Sequence, residues 1–375
     1  MIVKNEANVI RRCLDSVRPI IDHWVIVDTG STDGTQDVIR AAMADVPGML
    51  VERPWVDFAF NRNEALQLAR PRADYSLIID ADDLLIIPDN FVFPKLDEAG
   101  YLFTIIAKDN EYSRIQLVNN EIDWRYRGVV HEFLDCPGHL KTPKLQLSMR
   151  CGDDGARQRD QTTELHDLAV LEKALSAETD PFMISRYVFY LARSYRDTVQ
   201  HFKALEFFLR RGELGFGEEE VYLSLLEAVT LMEKLGAPDE PIINMYDRII
   251  PICPDRAEAR FAASRFCRTR KNFEAGYRYA ESGLDLKLPD QGISINAWIY
   301  RYGLREELAA NAFNLKYYRF CLMNCLIILE QPEMPPYDRA RCRALAHEAL
   351  AKLVDPVWGY QQVPYKSEFV PDWQN

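Results

Sequence analysis

Histidine is scarce in this chain, with six in 375 residues, and its eight cysteines fall singly with no CxxC pair. Paired thiols with histidines nearby are the mark of a structural zinc site, and even, clustered cysteines are the mark of a disulfide framework, so neither is expected. Reduced thiols and a cytoplasmic location follow. Cys321 and Cys325 lie one helical turn apart without a nearby histidine in sequence, and read as core residues. Runs approaching the roughly 18 apolar residues needed to span a bilayer are missing. Met1 opens directly into Ile2-Val3-Lys4-Asn5-Glu6, with neither the charged nor the apolar region of a signal peptide, so a soluble, unexported protein without a membrane span is expected. Cations are also in deficit. A net charge of −12 argues against a general nucleic-acid binder, whose affinity comes from Lys and Arg displacing counterions. Arg256, Arg260, Arg265, Arg268, Arg270 and Lys271 crowd one segment, which reads most plainly as a solvated helix face balanced by nearby Glu.

What remains is an ordinary globular composition, 48% apolar and 27% charged, in a chain long enough for two units. The first part alternates short β-branched runs with helical periodicity. Trp24 to Asp28, Met49 to Glu52, Tyr75 to Asp80 and Tyr101 to Ala107 read as strands; Ala7 to Val17, Gln36 to Met43 and Asn61 to Leu68 read as the helices between them. This is the βαβ grammar of a mostly parallel sheet. From about Glu111 to Leu147 short aromatic strands take over, as where a mixed sheet adds antiparallel pieces. Past Thr162 the strand signal ends. Leu165 to Ala177, Phe182 to Asp197, Phe202 to Leu214, Glu218 to Leu235, Pro241 to Ile250, Ala257 to Thr269, Phe273 to Leu284, Glu306 to Leu329 and Tyr337 to Lys352 read as helices. The chain thus divides into an α/β domain over 1–155, an all-α domain over 162–354 and an irregular tail over 355–375.

Chemistry concentrates at the ends of the predicted strands, where an open α/β sheet presents its ligand crevice. Ile78-Ile79 leads into Asp80-Ala81-Asp82-Asp83, three carboxylates that repel one another unless a cation bridges them. On an extended segment Asp80 and Asp82 share a face and Asp83 points away. An oxygen-only cluster suits a hard ion, Mg²⁺ or Mn²⁺. Asp28 ends another strand before Thr29-Gly30-Ser31-Thr32-Asp33-Gly34-Thr35, where its carboxylate is placed either to accept from the N–H of a nucleobase or to cap its own turn. Arg62, in Asn61-Arg62-Asn63, offers a guanidinium fork to a diphosphate; the plainer alternative is a helix capped by Asn61 with Arg62 on the surface. Within Asp123 to Phe133, His131 offers a nitrogen ligand to the same metal, and Glu132 is a candidate general base for an acceptor hydroxyl. In a strand these neighbours face opposite ways, so both can serve the site only if the backbone twists or bulges there.

Together, Val3-Lys4-Asn5-Glu6, Val27-Asp28-Thr29-Gly30-Ser31-Thr32-Asp33-Gly34-Thr35, Arg62-Asn63 and Asp80-Ala81-Asp82-Asp83 resemble the family 2 glycosyltransferases of GT-A fold over roughly the first 135 residues. The His131-Glu132 element is similar to a His-Glu motif in one branch of that family. Arg186 to Asp197, which includes Tyr187-Val188-Phe189-Tyr190-Leu191-Ala192-Arg193-Ser194-Tyr195, resembles the tetratricopeptide helices that bacterial and phage members append, and the architecture is similar to that of peptide S-glycosyltransferases. The resemblance implies that Asp28 reads the nucleobase, Arg62 contacts the nucleotide, Asp80 holds ribose or metal and Asp82 coordinates the cation. It implies an inverting transfer from a nucleotide-sugar donor with Mn²⁺ or Mg²⁺. Glu132 is the first choice of base; Asp153 and Asp154 are in reserve. Two departures stand out: the chain begins inside what would be the first strand, and Met149-Arg150-Cys151-Gly152-Asp153 lacks a histidine that relatives often carry there.

The expected function is transfer of a hexose from a UDP-sugar to a glycan, a peptide or a modified DNA base, with a possible homodimer through the helices. The alternative is a nucleotide-binding helical-repeat adaptor without turnover.

Overall fold

The computed structural model describes residues 1–108, 110–138, 140–159, 163–289, 292–332 and 334–354, so the predicted tail over 355–375 lies outside the described residues. Strand β1 (Ile2–Val3) is followed by α1 (Ile10–Val17), β2 (Trp24–Asp28), α2 (Thr35–Ala42), β3 (Gly48–Glu52) and α3 (Phe58–Ala69). The three strands form a parallel sheet in the order β1-β2-β3, with Val3 opposite Asp28 and Asp28 opposite Glu52. Ile26, Val27, Ile10, Leu14 and Ile39 are buried around it. Each such side chain contributes about 1.5–3 kcal/mol, which the two-residue pairing of β1 could not supply alone. The helix bearing Arg62 starts earlier than the apolar periodicity implies, because Asp57 is its cap and accepts from the Phe60 N–H at 2.7 Å. Asn61 lies inside that helix, buried, where it accepts from the Val56 N–H and donates to the Pro54 carbonyl.

A second sheet is mixed. It comprises β4 (Tyr75–Leu77), β5 (Leu84–Ile86), β6 (Gly100–Ala107), β7 (Asn110–Asn119) and, after the hairpin β8 (Arg125–Arg127) and β9 (Phe133–Asp135), β10 (Lys144–Arg150). The order is β4-β7-β6-β10-β5, with β6 and β10 parallel and the other pairs antiparallel. Phe103, Ile105, Leu147 and Met149 form its core. The predicted strand to Asp80 ends at Leu77, and Asp80 to Asp83 is a tight turn closed by the Asp83 N–H on the Asp80 carbonyl at 3.2 Å. Three helices follow: α4 (Ala156–Arg159), α5 (Thr163–Ala177) and α6 (Pro181–Asp197), the last begun by Pro181 at N1 after an Asp180 cap. The structure divides into two compact units, Met1–Gln200 and His201–Asn375. The composition break near 155–162 therefore falls inside the first unit, which includes α5 and α6.

The second unit is helical throughout its described residues: α7 (His201–Glu213), α8 (Glu218–Lys234), α9 (Asp239–Ile249), α10 (Glu258–Thr269), α11 (Phe273–Glu281), a π-helical turn Ile299–Gly303, α12 (Leu304–Asn314), α13 (Tyr318–Leu329) and α14 (Pro336–Val354). Each helix packs on the next, and α12 also packs on α10 and α14, the nearest-neighbour pattern of a helical repeat. Its apolar clusters succeed one another along the chain. The single helix expected over Glu306 to Leu329 is two, broken where Lys316 takes φ 67°. Neither Gly nor Pro marks that break in sequence. The arginine-rich segment is a solvated face balanced by carboxylates only from Arg265 onward. Arg256 and Arg260 are buried, and Arg256 pairs with Glu219 and Glu258, Arg265 with Glu233, Arg268 with Glu307 and Arg270 with Asp239. Cys321 and Cys325 are buried in the core, as expected.

Candidate active site

Arg62 is the hub of the site. Its Nε donates to Glu132 Oε1 and its Nη2 to Asp80 Oδ1, each at 2.7 Å, and the guanidinium lies 5.4 Å from the Tyr126 ring centroid. With 13% of its side chain exposed, it is not the surface arginine of the plainer reading. One charge-assisted fork thus joins residues from a helix, a strand-end turn and the β8–β9 hairpin. A cleft of about 260 Å³ opens over it, lined by Arg62, Asp80, Arg114, Gln116, Tyr126 and Glu132. Burial alone would raise the Asp80 carboxyl, but the Arg62 guanidinium overrides it and holds Asp80 below its ordinary value. The same burial pushes the Tyr126 hydroxyl up to about 12.

The rest of the acidic turn is under-neutralised. Asp82 is raised by burial and then by Asp80 and Asp154, while Asp83 is pushed to about 6 by burial and by Asp80. Asp83 points inward rather than away, because the turn abolishes the strand's two-residue alternation. Its Oδ1 accepts from the Gly152 N–H at 3.3 Å, its Oδ2 is buried without a hydrogen bond, and Arg114 stands off at 3.8 Å. Gly152 is required beside this turn: a Cβ there would sit 2.4 Å from the Asp82 carbonyl oxygen. Arg12 of α1 braces the far side, donating to the Asp82 carbonyl at 3.0 Å and pairing with Asp154.

Asp28 caps its own turn, one of the two roles open to it from its sequence position. Its Oδ1 accepts from the Gly30 and Ser31 N–H groups, each at 2.9 Å, and its buried Oδ2 has no hydrogen-bond partner. One oxygen caps the turn while the other remains an acceptor. The Asn5-Glu6 segment is tied to the same loop: Asn5 Oδ1 accepts from Thr32 N–H at 2.8 Å, and the Glu6 N–H donates to Thr35 Oγ1 at 2.8 Å. His131 breaks the hairpin with φ 51°, so the two neighbours do part ways. Glu132 meets Arg62, and the imidazole stacks on Tyr190 of α6 with centroids 4.1 Å apart. Packing against its neighbours lowers the imidazole, although the residue as a whole remains exposed, and its charged surroundings are Asp167, Arg193, Arg157 and Arg186.

Among the described residues no group of three or more His, Cys, Asp and Glu side chains is arranged as a metal cage. A hard dication does not need one, since it is commonly bound by one or two carboxylates together with substrate phosphates. The unneutralised Asp82 and the orphaned Asp83 oxygen fit such a use. Sequence reasoning missed Arg114, Arg12 and Gly152. Their partners lie at least 31 positions away along the chain, and no local motif marks them.

Residues 1–90 match the family model for glycosyl transferase family 2. A TPR repeat-containing protein of Synechococcus elongatus is 34% identical over 144 residues, 36% of this chain and 34% of that protein. The SPbeta prophage-derived glycosyltransferase SunS of Bacillus subtilis is 34% identical over 84 residues, 22% of this chain and 19% of SunS. An uncharacterized glycosyltransferase of Rickettsia felis is 35% identical over 85 residues, 23% of this chain and 28% of that protein. The matches thus span about a third or less of these relatives' lengths. No described helix is long and apolar enough to cross a membrane. The match falls on the parallel sheet, Asp28, Arg62 and the Asp80–Asp83 turn, so residues 1–90 are similar to a glycosyl transferase family 2 domain, and helices follow it in the chain.

Proposed function

We propose that this protein is a metal-dependent, inverting glycosyltransferase that moves a hexose from a UDP-sugar to a hydroxyl or similar nucleophile on a glycan or peptide. The observation that carries the reading is the Arg62 fork, which holds Asp80 and Glu132 in one cleft at 2.7 Å each. In this reading Asp28 Oδ2 accepts the imide N–H of uracil, and Asp80 and Arg62 orient the ribose and diphosphate. Asp82, together with the donor's phosphates, would hold a Mg²⁺ or Mn²⁺ ion, which would supply charge neutralisation for the departing diphosphate. Glu132 takes the proton of the acceptor O–H as its oxygen bonds to the anomeric carbon. The bond from that carbon to the diphosphate oxygen breaks, and UDP leaves with the electron pair. The arginine-rich segment is consumed by internal ion pairs, which removes the motive for a DNA-base acceptor.

Titration of UDP-glucose and UDP-N-acetylglucosamine with Mn²⁺ or with chelator, followed by assay of UDP release, tests the proposal. Metal-enhanced donor binding and slow UDP release are expected, the release being lost in Glu132→Gln. Donor binding without turnover under any condition favours a nucleotide-binding adaptor, and no binding at all refutes the reading.

A further inference from the structure

The hairpin that presents Glu132 is gripped from its other side by α6, beyond the residues that match the family. His131 adopts the left-handed conformation at φ 51°, which costs a non-glycine residue energy and persists only where surrounding contacts over-determine it. Helix α6 supplies such contacts. The imidazole lies at 13° to the Tyr190 ring, Arg186 Nη2 donates to the His131 carbonyl at 3.3 Å and to the Tyr190 hydroxyl at 3.2 Å, and the same guanidinium lies 4.4 Å from the Phe133 ring centroid. At the base of the hairpin, Arg127 pairs with Asp135 and with Asp180, the cap of α6. The residue before Glu132 and the residue after it are therefore both fixed by α6. Glu132 itself is turned the opposite way, onto Arg62.

We propose that Tyr190 and Arg186 are positioning residues for the transfer: by stacking on His131 and bonding its carbonyl, they fix the hairpin tip so that the Glu132 carboxylate stands at one place in the cleft. This rests on the assignment of Glu132 as the base. It gives His131 a mechanical role in place of metal ligation, and it makes the first long helices part of the catalytic unit. Their contacts above fall on His131 and Phe133, so the effect is expected on the rate rather than on donor affinity. A misplaced base at about 1 Å costs on the order of 10²-fold in rate.

The test uses the full chain with Tyr190→Leu, Tyr190→Phe, Arg186→Gln, Glu132→Gln and the Tyr190→Leu/Glu132→Gln pair. The ring protons of His131, identified through His131→Asn, are followed by NMR. The affinity for UDP-glucose with Mn²⁺ and the rate of UDP release are measured alongside. Tyr190→Leu is expected to move the His131 resonance away from its ring-shifted position, to leave donor affinity within about twofold and to slow release about 10–100-fold. Tyr190→Phe retains the stack and the rate, and the double variant is no slower than Glu132→Gln alone. Should Tyr190→Leu fail to fold, Arg186→Gln carries the same expectation of a slower release at unchanged donor affinity. An unmoved His131 resonance, or wild-type release in a folded Tyr190→Leu or Arg186→Gln protein, overturns the proposal while leaving the functional reading intact. Failure of the wild type to bind any sugar nucleotide overturns both.

Discussion

Asp83 is the residue whose replacement the structure predicts most sharply. Its carboxyl is raised from 3.8 to about 6, first by burial and then by Asp80. With only 5% of the side chain exposed, solvent does little to screen that penalty. A rise of this size corresponds to about 3 kcal/mol of lost stability once the group is ionised, at about 1.36 kcal/mol per unit. Because the folded value lies above the unfolded one, folding takes up a proton. The contribution is complete below pH 3.8 and is lost as pH rises through about 6. Asp83→Asn removes the charge and keeps an acceptor for the Gly152 N–H, but it leaves a buried amide donor where Oδ2 has no partner, at a cost of about 1–2 kcal/mol. The net expectation at pH 8 is a stabilisation of about 1–2 kcal/mol, or roughly 2–8 °C in a unit of this size. At pH 4 the wild-type carboxyl is already mostly neutral and the advantage disappears. Urea unfolding of both proteins from pH 4 to 8, without divalent metal, measures the difference. Equal destabilisation by Asp83→Asn at both ends of that range would refute the claim that the turn carries uncompensated charge.

Arg62→Met strands Asp80 and Glu132 without their cation, and removal of one partner from a buried pair costs about 3–5 kcal/mol. Discounted for the partial exposure of Asp80, a loss of about 2–4 kcal/mol is expected by urea unfolding. Arg62→Lys is expected to recover only part of it, because an ammonium cannot present Nε and Nη2 to two carboxylates at once. Gly152→Ala drives a methyl group against the Asp82 carbonyl and should cost about 1–3 kcal/mol in thermal unfolding. It should weaken Mn²⁺ binding as well, since the turn must shift.

The α/β grammar was legible because buried parallel strands write themselves as β-branched runs, as in Trp24 to Asp28, which forms a strand with those bounds. Asp28, Arg62 and Asp80 stand out as candidates for a related reason: strand ends and helix starts around a parallel sheet fall at readable positions. The failures share a cause as well. Asp83 was read with strand alternation, but the chain turns after Leu77, and a turn without glycine or proline leaves no mark. The break at Lys316 was invisible on the same ground. The burial of Arg62, Arg256 and Arg260 is a tertiary fact, since their carboxylate partners or packing neighbours are supplied by other elements. So is the stack of His131 on Tyr190, which joins residues 59 positions apart by sequence number.

The central claim, that Asp82 helps to hold a cation beneath a nucleotide-sugar's diphosphate, is tested most directly by electron paramagnetic resonance of Mn²⁺. With UDP and the wild-type protein, the free-ion signal should fall far more than with UDP or protein alone, and Asp82→Asn should restore it. An equal signal in wild type and Asp82→Asn, with UDP present, would contradict the account.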